Sequence, residues 1–324
     1  SLPRTHNHGD NLRESESSMA ELLKDPDWWK KAVIYQIYPR SFYDANNDGI
    51  GDLAGITAKL DYLNDGKGGG LGVDAIWISP FFTSPMADFG YDVADYCGID
   101  PIFGSMADAE DLVAAAHQRG IRVMIDLVFN HSSEQHPWFV ESRLSRDNAK
   151  ADWYIWADPK ADGSVPNNWL SFFGGSAWTW DEGRGQYYYH TFLKAQPDLN
   201  WYQPQVREAL ADIVRFWMKK GIDGFRFDVV NFFAYDRQLR DNPPARDNQF
   251  SVHGDFNPYG QYEAIYSKGV PEQWGCVEFL RRVMDEGEEI TSVGEVGGIP
   301  QPEALIEHAA EHVKYGNRLH MAYT

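Results

Sequence analysis

Thirteen residues, 221–233, constrain the chain more than any other stretch: they read G-I-D-G-F-R-F-D-V-V-N-F-F. The leading glycine follows a helical segment that ends in Lys219 and Lys220, where a helix dipole favours cations. From Gly224 to Val230 the run is apolar except for Arg226 and Asp228. Strand alternation puts Phe225 and Phe227 on one face and Arg226 and Asp228 on the other. A buried strand that carries an arginine and a carboxylate near its C-terminal end must supply partners for both charges. The plainest account is a structural ion pair, and the rest of the chain decides whether it suffices.

The rest of the chain alternates. Apolar, β-rich runs at residues 32–40, 73–80, 121–129, 290–295 and 318–323 are separated by helical patterns at 56–63, 106–119, 204–220, 277–286 and 302–312. That rhythm predicts a parallel sheet with helices outside it. It breaks between residues 132 and 201, a stretch rich in Trp, Asn, Pro and Gly that is too long for a loop and predicts a small inserted domain. Residues 236–273 read as a second excursion from the same end of the sheet. The polar, aperiodic residues 1–18 read as a disordered or tag-derived leader.

With 29 Lys plus Arg against 48 Asp plus Glu, the chain carries a net charge of −19. Such a surface repels nucleic acid and anionic membranes and suits neutral or cationic ligands. No apolar run reaches the length of a membrane span, and the N-terminus shows no signal-peptide core, so a cytoplasmic location is expected, with the periplasm as the alternative. Cys97 and Cys276 form neither a disulfide scaffold nor a metal-like spacing. The 12 Trp and 17 Tyr suit a protein that packs the flat faces of sugars, although an aromatic core would explain them too.

Two clusters carry chemistry. After the first strand, Asp44, Asn46, Asp48 and Asp52 surround glycines 49 and 51, a set of hard oxygen donors suited to calcium or magnesium, or alternatively an Asx-rich turn. The other unusual polar groups all fall at strand ends: Asp126 and His131 at the third, Asp228 at the fourth, Glu295 at the fifth. In a (β/α)8 barrel that end is the catalytic face. Two converging carboxylates there are the apparatus of glycoside hydrolysis. Arg226 is expected to keep Asp228 ionised as the nucleophile. Glu295, with no cation near it in sequence, is expected to hold the proton of the general acid.

The motifs Y-Q-I-Y-P-R-S-F, D-x-N-x-D-G-I-G-D, G-V-D-A-I-W-I-S-P, D-F-G-Y-D-V, D-L-V-F-N-H, Q-P-D-L-N, G-F-R-F-D and G-E follow in order from Tyr35 to Glu295. Together they resemble the α-amylase superfamily of retaining glycoside hydrolases (family 13), in its α-glucosidase and oligo-1,6-glucosidase branch. The resemblance implies a TIM barrel with a domain inserted after strand 3. The barrel would occupy residues 19–131 and 202–324, and the inserted domain 132–201. It implies Asp228 as nucleophile, Glu295 as acid and later base, and Arg226 as the residue that orients the nucleophile. His131, Asp88 and Tyr91 would hold the terminal glucose, Asp126 would support them, and Phe192 and Gln196 would border the pocket. Asp44, Asn46, Asp48, Asp52 and the Ile50 carbonyl would form a structural cation loop, with no organic cofactor.

The family also has a third carboxylate in an N-H-D motif, strands 7 and 8 and a C-terminal β-domain. The chain ends before them and is expected to be a portion of a longer polypeptide, monomeric or dimeric. Exo action on short oligosaccharides is the expected activity. Val229 leans toward α-1,6 bonds and the Leu239-Arg-Asp-Asn-Pro segment toward α-1,4, which ranks narrowly first. A transglucosidase or sucrose isomerase would use the same residues, and a non-catalytic barrel relative ranks last.

Overall fold

Strands and helices begin where the sequence supplies a local reason. The computed structural model describes residues 25–245, 257–299 and 301–324, so the expected leader over 1–18 lies outside the described residues. Six parallel strands follow one another in chain order: β1 (Ile34–Ile37), β2 (Ala75–Ile78), β3 (Arg122–Leu127), β4 (Gly224–Phe227), β5 (Thr291–Glu295) and β6 (Met321–Tyr323). They curl as part of a (β/α)8 barrel.

Helices α1 (Leu53–Ala58), α2 (Met106–His117), α3 (Pro204–Lys219), α4 (Gln273–Met284) and α5 (Pro302–Val313) lie between successive strands. α2 opens on a capping box in which Ser105 and Asp108 satisfy each other's backbone N–H. α3 starts with Pro204 at its first position and ends in a Schellman motif. There Gly221, at φ +87°, donates to the Met218 carbonyl while Ile222 donates to that of Trp217. The predicted helix 56–63 begins earlier and splits, because Asp52 caps the N–H of Gly55 at 2.6 Å and so starts α1 at Leu53. α4 likewise begins at Gln273 rather than at residue 277.

Alternation sorts the strands. Ile76, Ile78, Val123, Ile125, Phe225 and Phe227 join Leu112, Leu210, Val214, Trp217, Val277 and Leu280 of the helices in one core. On the opposite face Ala75 and Met124 pack with Trp28, Trp77 and Val293, an apolar layer two residues before Asp126 on β3. The break in rhythm contains a three-stranded antiparallel sheet of Trp156–Ala157, Gln186–Tyr189 and Trp178–Asp181, with its own core around Trp169 and Trp178. The second excursion docks on it: Asn168 and Asn242 exchange hydrogen bonds, and Trp169 donates to the Arg240 carbonyl. No described helix is long and apolar enough to cross a membrane.

The core assignment makes a direct prediction. Phe225 is fully buried, so Phe225→Ala should cost about 3–5 kcal/mol in urea unfolding. Leu144, 71% exposed, should cost no more than about 0.5 kcal/mol when changed to Ala. Equal losses would contradict the assignment.

Candidate active site

Arg226 leaves β4 toward the inside of the curled sheet and meets three carboxylates. Its Nη1 lies 2.6 Å from Asp228 Oδ1 and 2.8 Å from Asp126 Oδ1, and its Nη2 lies 2.6 Å from Glu295 Oε2. Strand register explains the convergence: Asp126 pairs with Arg226 across β3–β4, and Val293 pairs with Arg226 across β4–β5. Its Nε and Nη2 also donate to the Tyr323 hydroxyl at 3.0 and 2.8 Å, and Tyr323 stands opposite Glu295 on β6. Trp77 on β2 donates its ring N–H to Asp126 Oδ2 and lies with its ring 5.2 Å from the guanidinium.

Burial works against the charge of Arg226, but Asp126, Asp228 and Glu295 outweigh it and hold the guanidinium protonated. For the carboxylates the balance runs the other way. Burial pushes Asp228 well above the ordinary carboxylate range; Arg226 pulls it down, and Glu295 and Asp126 push it further up. Burial likewise raises Asp126 against the pull of Arg226. Two expectations change here. Arg226 is shared three ways and does not by itself keep Asp228 acidic. Nor is Glu295 without a cation: a residue of the neighbouring strand supplies one.

The facing wall comes from loops. A turn built on the buried Asp92 carboxylate, which accepts from Ser84 Oγ and the N–H groups of Ala87 and Asp88, presents Asp88 and Tyr91. Beside it Phe82–Thr83 pairs antiparallel with Asp95–Ile99, a hairpin with little local signal because one strand is two residues long and irregular in register. Tyr91 donates its hydroxyl to Asp126 Oδ2 at 3.1 Å. Gln196 Nε2 donates to Asp88 Oδ2 at 2.8 Å, while burial raises Asp88. His131 Nδ1 meets the Asn130 amide at 3.2 Å, and its Nε2 lies 3.1 Å from both the Tyr91 carbonyl and the Gln196 amide nitrogen; a proton on Nε2 satisfies the Asn130 and Tyr91 contacts, one on Nδ1 that of Gln196. Burial keeps this imidazole neutral, pushed down to about 4.

Asp88, Tyr91, His131, Phe192, Arg226, Asp228 and Glu295 therefore line one pocket of about 200 Å³, with Phe173 and Val229 completing it. Val229 adopts φ +40°, ψ +52°, a strained conformation for a β-branched residue, directly after Asp228. A larger cavity of about 560 Å³ beyond Tyr259 and Lys268 is lined by no such pair of carboxylates among the described residues.

Residues 36–315 match the alpha-amylase catalytic domain. The chain belongs to the alpha-amylase catalytic-domain family. It is 57% identical over 315 residues to a probable alpha-glucosidase of Rhizobium meliloti, covering 96% of this chain and 55% of the relative. An oligo-1,6-glucosidase of Parageobacillus thermoglucosidasius is 46% identical over 279 residues, 86% of this chain and 47% of its own. Among solved structures, the alpha-glucosyl transfer enzyme XgtA superposes with a TM-score of 0.85 at 52% identity, covering 92% of this chain and 54% of that one. The chain thus spans about half the length of these relatives.

In this alpha-amylase family chain the loop from Asp44 to Asp52 is built from Asx turns. Asp44 accepts from the N–H of Asn47 and Gly49, Asn46 from Asp48, and Asp48 from Ile50. Both Asp52 oxygens are engaged, by Gly55 and Ala45. Among the described residues no three His, Cys, Asp or Glu side chains gather as a metal centre. The donors are hard oxygens with lone pairs to spare, a chemistry that fits calcium or magnesium.

Sequence reasoning missed Trp77, Phe173 and Tyr323. Tyr323 ends its strand and Trp77 is the last residue but one of its own, positions that could have pointed to them; Phe173, 53% exposed on the inserted domain, offered no such signal. Removing Arg226 leaves three carboxylates without their shared cation. Arg226→Leu should destabilise the fold by about 3–5 kcal/mol near neutral pH. The loss should grow as pH rises above the ordinary carboxylate range, by about 1.4 kcal/mol per pH unit for each proton the folded variant holds beyond those the folded wild type holds. Urea unfolding at pH 5 and pH 8 measures this; a pH-independent loss would show that the site carries no excess negative charge.

Proposed function

We propose that the chain carries the nucleophile and acid of a retaining, exo-acting α-glucosidase that releases terminal glucose from short oligosaccharides. The observation that carries this reading is the Arg226 bridge, which sets Asp228 and Glu295 side by side at the mouth of a small pocket. Asp228 attacks the anomeric carbon while Glu295 protonates the departing oxygen, giving a covalent glucosyl-enzyme; Glu295 then takes a proton from the water that releases glucose. Arg226 orients both carboxylates. Asp88, Tyr91 and His131 grip the sugar, with Phe192 and the Gln196–Asp88 contact closing its far side. The α-1,4 linkage is ranked ahead of α-1,6; the similarity to an oligo-1,6-glucosidase supports the second, and the alpha-glucosidase relative's name specifies no linkage. Transfer of glucose to a sugar acceptor is the second reading, favoured by the similarity to XgtA.

Azide separates the two carboxylate roles. Asp228→Asn should lower turnover of maltose or an aryl α-glucoside by about 10³-fold or more, and any azide rescue should yield the β-glucosyl azide, by one inversion. Glu295→Gln should still form the glucosyl-enzyme from substrates with good leaving groups, and azide should then yield the α-glucosyl azide, by two. Products of the opposite configurations would exchange the assignments.

We also propose that Asp44, Asn46, Asp48, Asp52 and the Ile50 carbonyl hold a structural calcium or magnesium ion, which would rigidify the loop ahead of α1. Chelation should lower the Tm of the wild type, and Asp48→Ala should abolish that response. A Tm indifferent to chelator in both would remove the ion from the account.

A further inference from the structure

The three residues after Glu295 are tied by three different elements. Val296 donates its N–H to the Tyr323 carbonyl on β6 at 2.9 Å. Gly298 offers its carbonyl to the Lys268 ammonium, which lies near the rings of Phe232 and Tyr259. Gly297 is held at both of its backbone polar groups by a single side chain. Asn231 Nδ2 donates to the Gly297 carbonyl at 2.8 Å, and Asn231 Oδ1 accepts the Gly297 N–H at 3.3 Å.

Asn231 is fully buried, three residues past Asp228 in the short turn Val230–Phe232. Its own carbonyl accepts the Gly269 N–H at 2.8 Å, so the backbone beneath the amide is anchored as well. The β4 and β5 chains run close here: a Cβ on Gly294 would stand 3.0 Å from Val230 and 2.5 Å from Leu319. Only a side chain with one donor and one acceptor at this reach satisfies both Gly297 groups. An aspartate keeps the acceptor but turns a charged oxygen toward the carbonyl. A buried amide that only completed its own turn would bond within that turn; this one spends both functions on the loop that follows Glu295.

We infer that Asn231 is a positioning residue that fixes the Glu295 carboxyl relative to Asp228, at the distance the acid needs to reach the departing oxygen. This rests on the glucosidase reading. In the bond-breaking step the Asp228 carboxylate forms a bond to the anomeric carbon as the glycosidic C–O bond breaks, and the Glu295 proton passes to the leaving oxygen. A loosened Glu295 slows the proton transfer and leaves attack by Asp228 largely intact, so the loss depends on how much the leaving group needs the proton.

The test compares kcat/KM, which reports that first step, for the full chain and its Asn231→Ala and Asn231→Asp variants. The substrates are aryl α-glucosides of rising leaving-group pKa, together with maltose. Both variants should stay within a few-fold of wild type on the dinitrophenyl glucoside and fall by about 10²-fold on maltose, with a steeper leaving-group dependence between. Asn231→Asp keeps the volume and supplies the reading if Asn231→Ala does not fold. A loss equal across the series, the mark of a merely structural amide, would overturn the inference, and so would no loss at all. A wild type inactive on every glucoside would instead sink the glucosidase reading, and this role with it.

Discussion

One buried guanidinium organises this molecule. Arg226 is enclosed by carboxylates from three consecutive strands and by the rings of Trp77, Tyr91 and Tyr323. A planar fork with fixed donor directions suits this place better than a lysine, whose point charge would leave the orientation of each carboxylate free. Burying so many charges is costly, and donors offset it most fully at Asp126, both of whose oxygens are engaged. The parallel, curled sheet is what brings Asp126, Arg226 and Glu295 together from positions about 70 to 100 residues apart in sequence.

Rigidity around that centre is layered. Below it, the buried Trp28, Ala75 and Met124 pack together with Trp77 and Val293 as an apolar floor. Beside it, the strained backbone of Val229 is held while its N–H approaches Glu295 Oε2 at 3.3 Å. Above it, the Asp92 turn forces Met86 and Phe89 into positive φ in order to present Asp88 and Tyr91. Other left-handed non-glycine residues, such as Asn47 and Glu289, lie elsewhere, but Met86, Phe89 and Val229 put such backbone on two sides of the pocket.

Much of this was legible in the chain. The alternation of Phe225 and Phe227 with Arg226 and Asp228 is the alternation found in β4, and the strand-end positions of Asp126, Asp228 and Glu295 are the positions that converge. Cross-strand partners were not legible. That Glu295 faces Arg226, or that Tyr323 accepts from it, follows from parallel register between segments joined by whole helices, and no local signal encodes it. The same gap produced the expectation of an acidic Asp228. Its nearest cation was visible two residues away, while the two carboxylates that compete for that cation were not.

The charge balance at the centre bears on what such a site binds best. With Glu295 holding the proton of the acid, Asp126 and Asp228 against one guanidinium still leave negative charge that a neutral sugar does not need. Burial raises Asp126 and Asp228, so this negative charge is held at a cost in the resting protein. A group that gains positive character at its anomeric carbon as its bond breaks would relieve that cost, most of all in the transition state. The neutral His131 and the aromatic walls add no competing cation on the sugar's other side. Under the glucosidase reading, the discomfort of these carboxylates is therefore part of the catalytic device, because the interaction that strengthens most is the one made only as the glycosidic bond gives way.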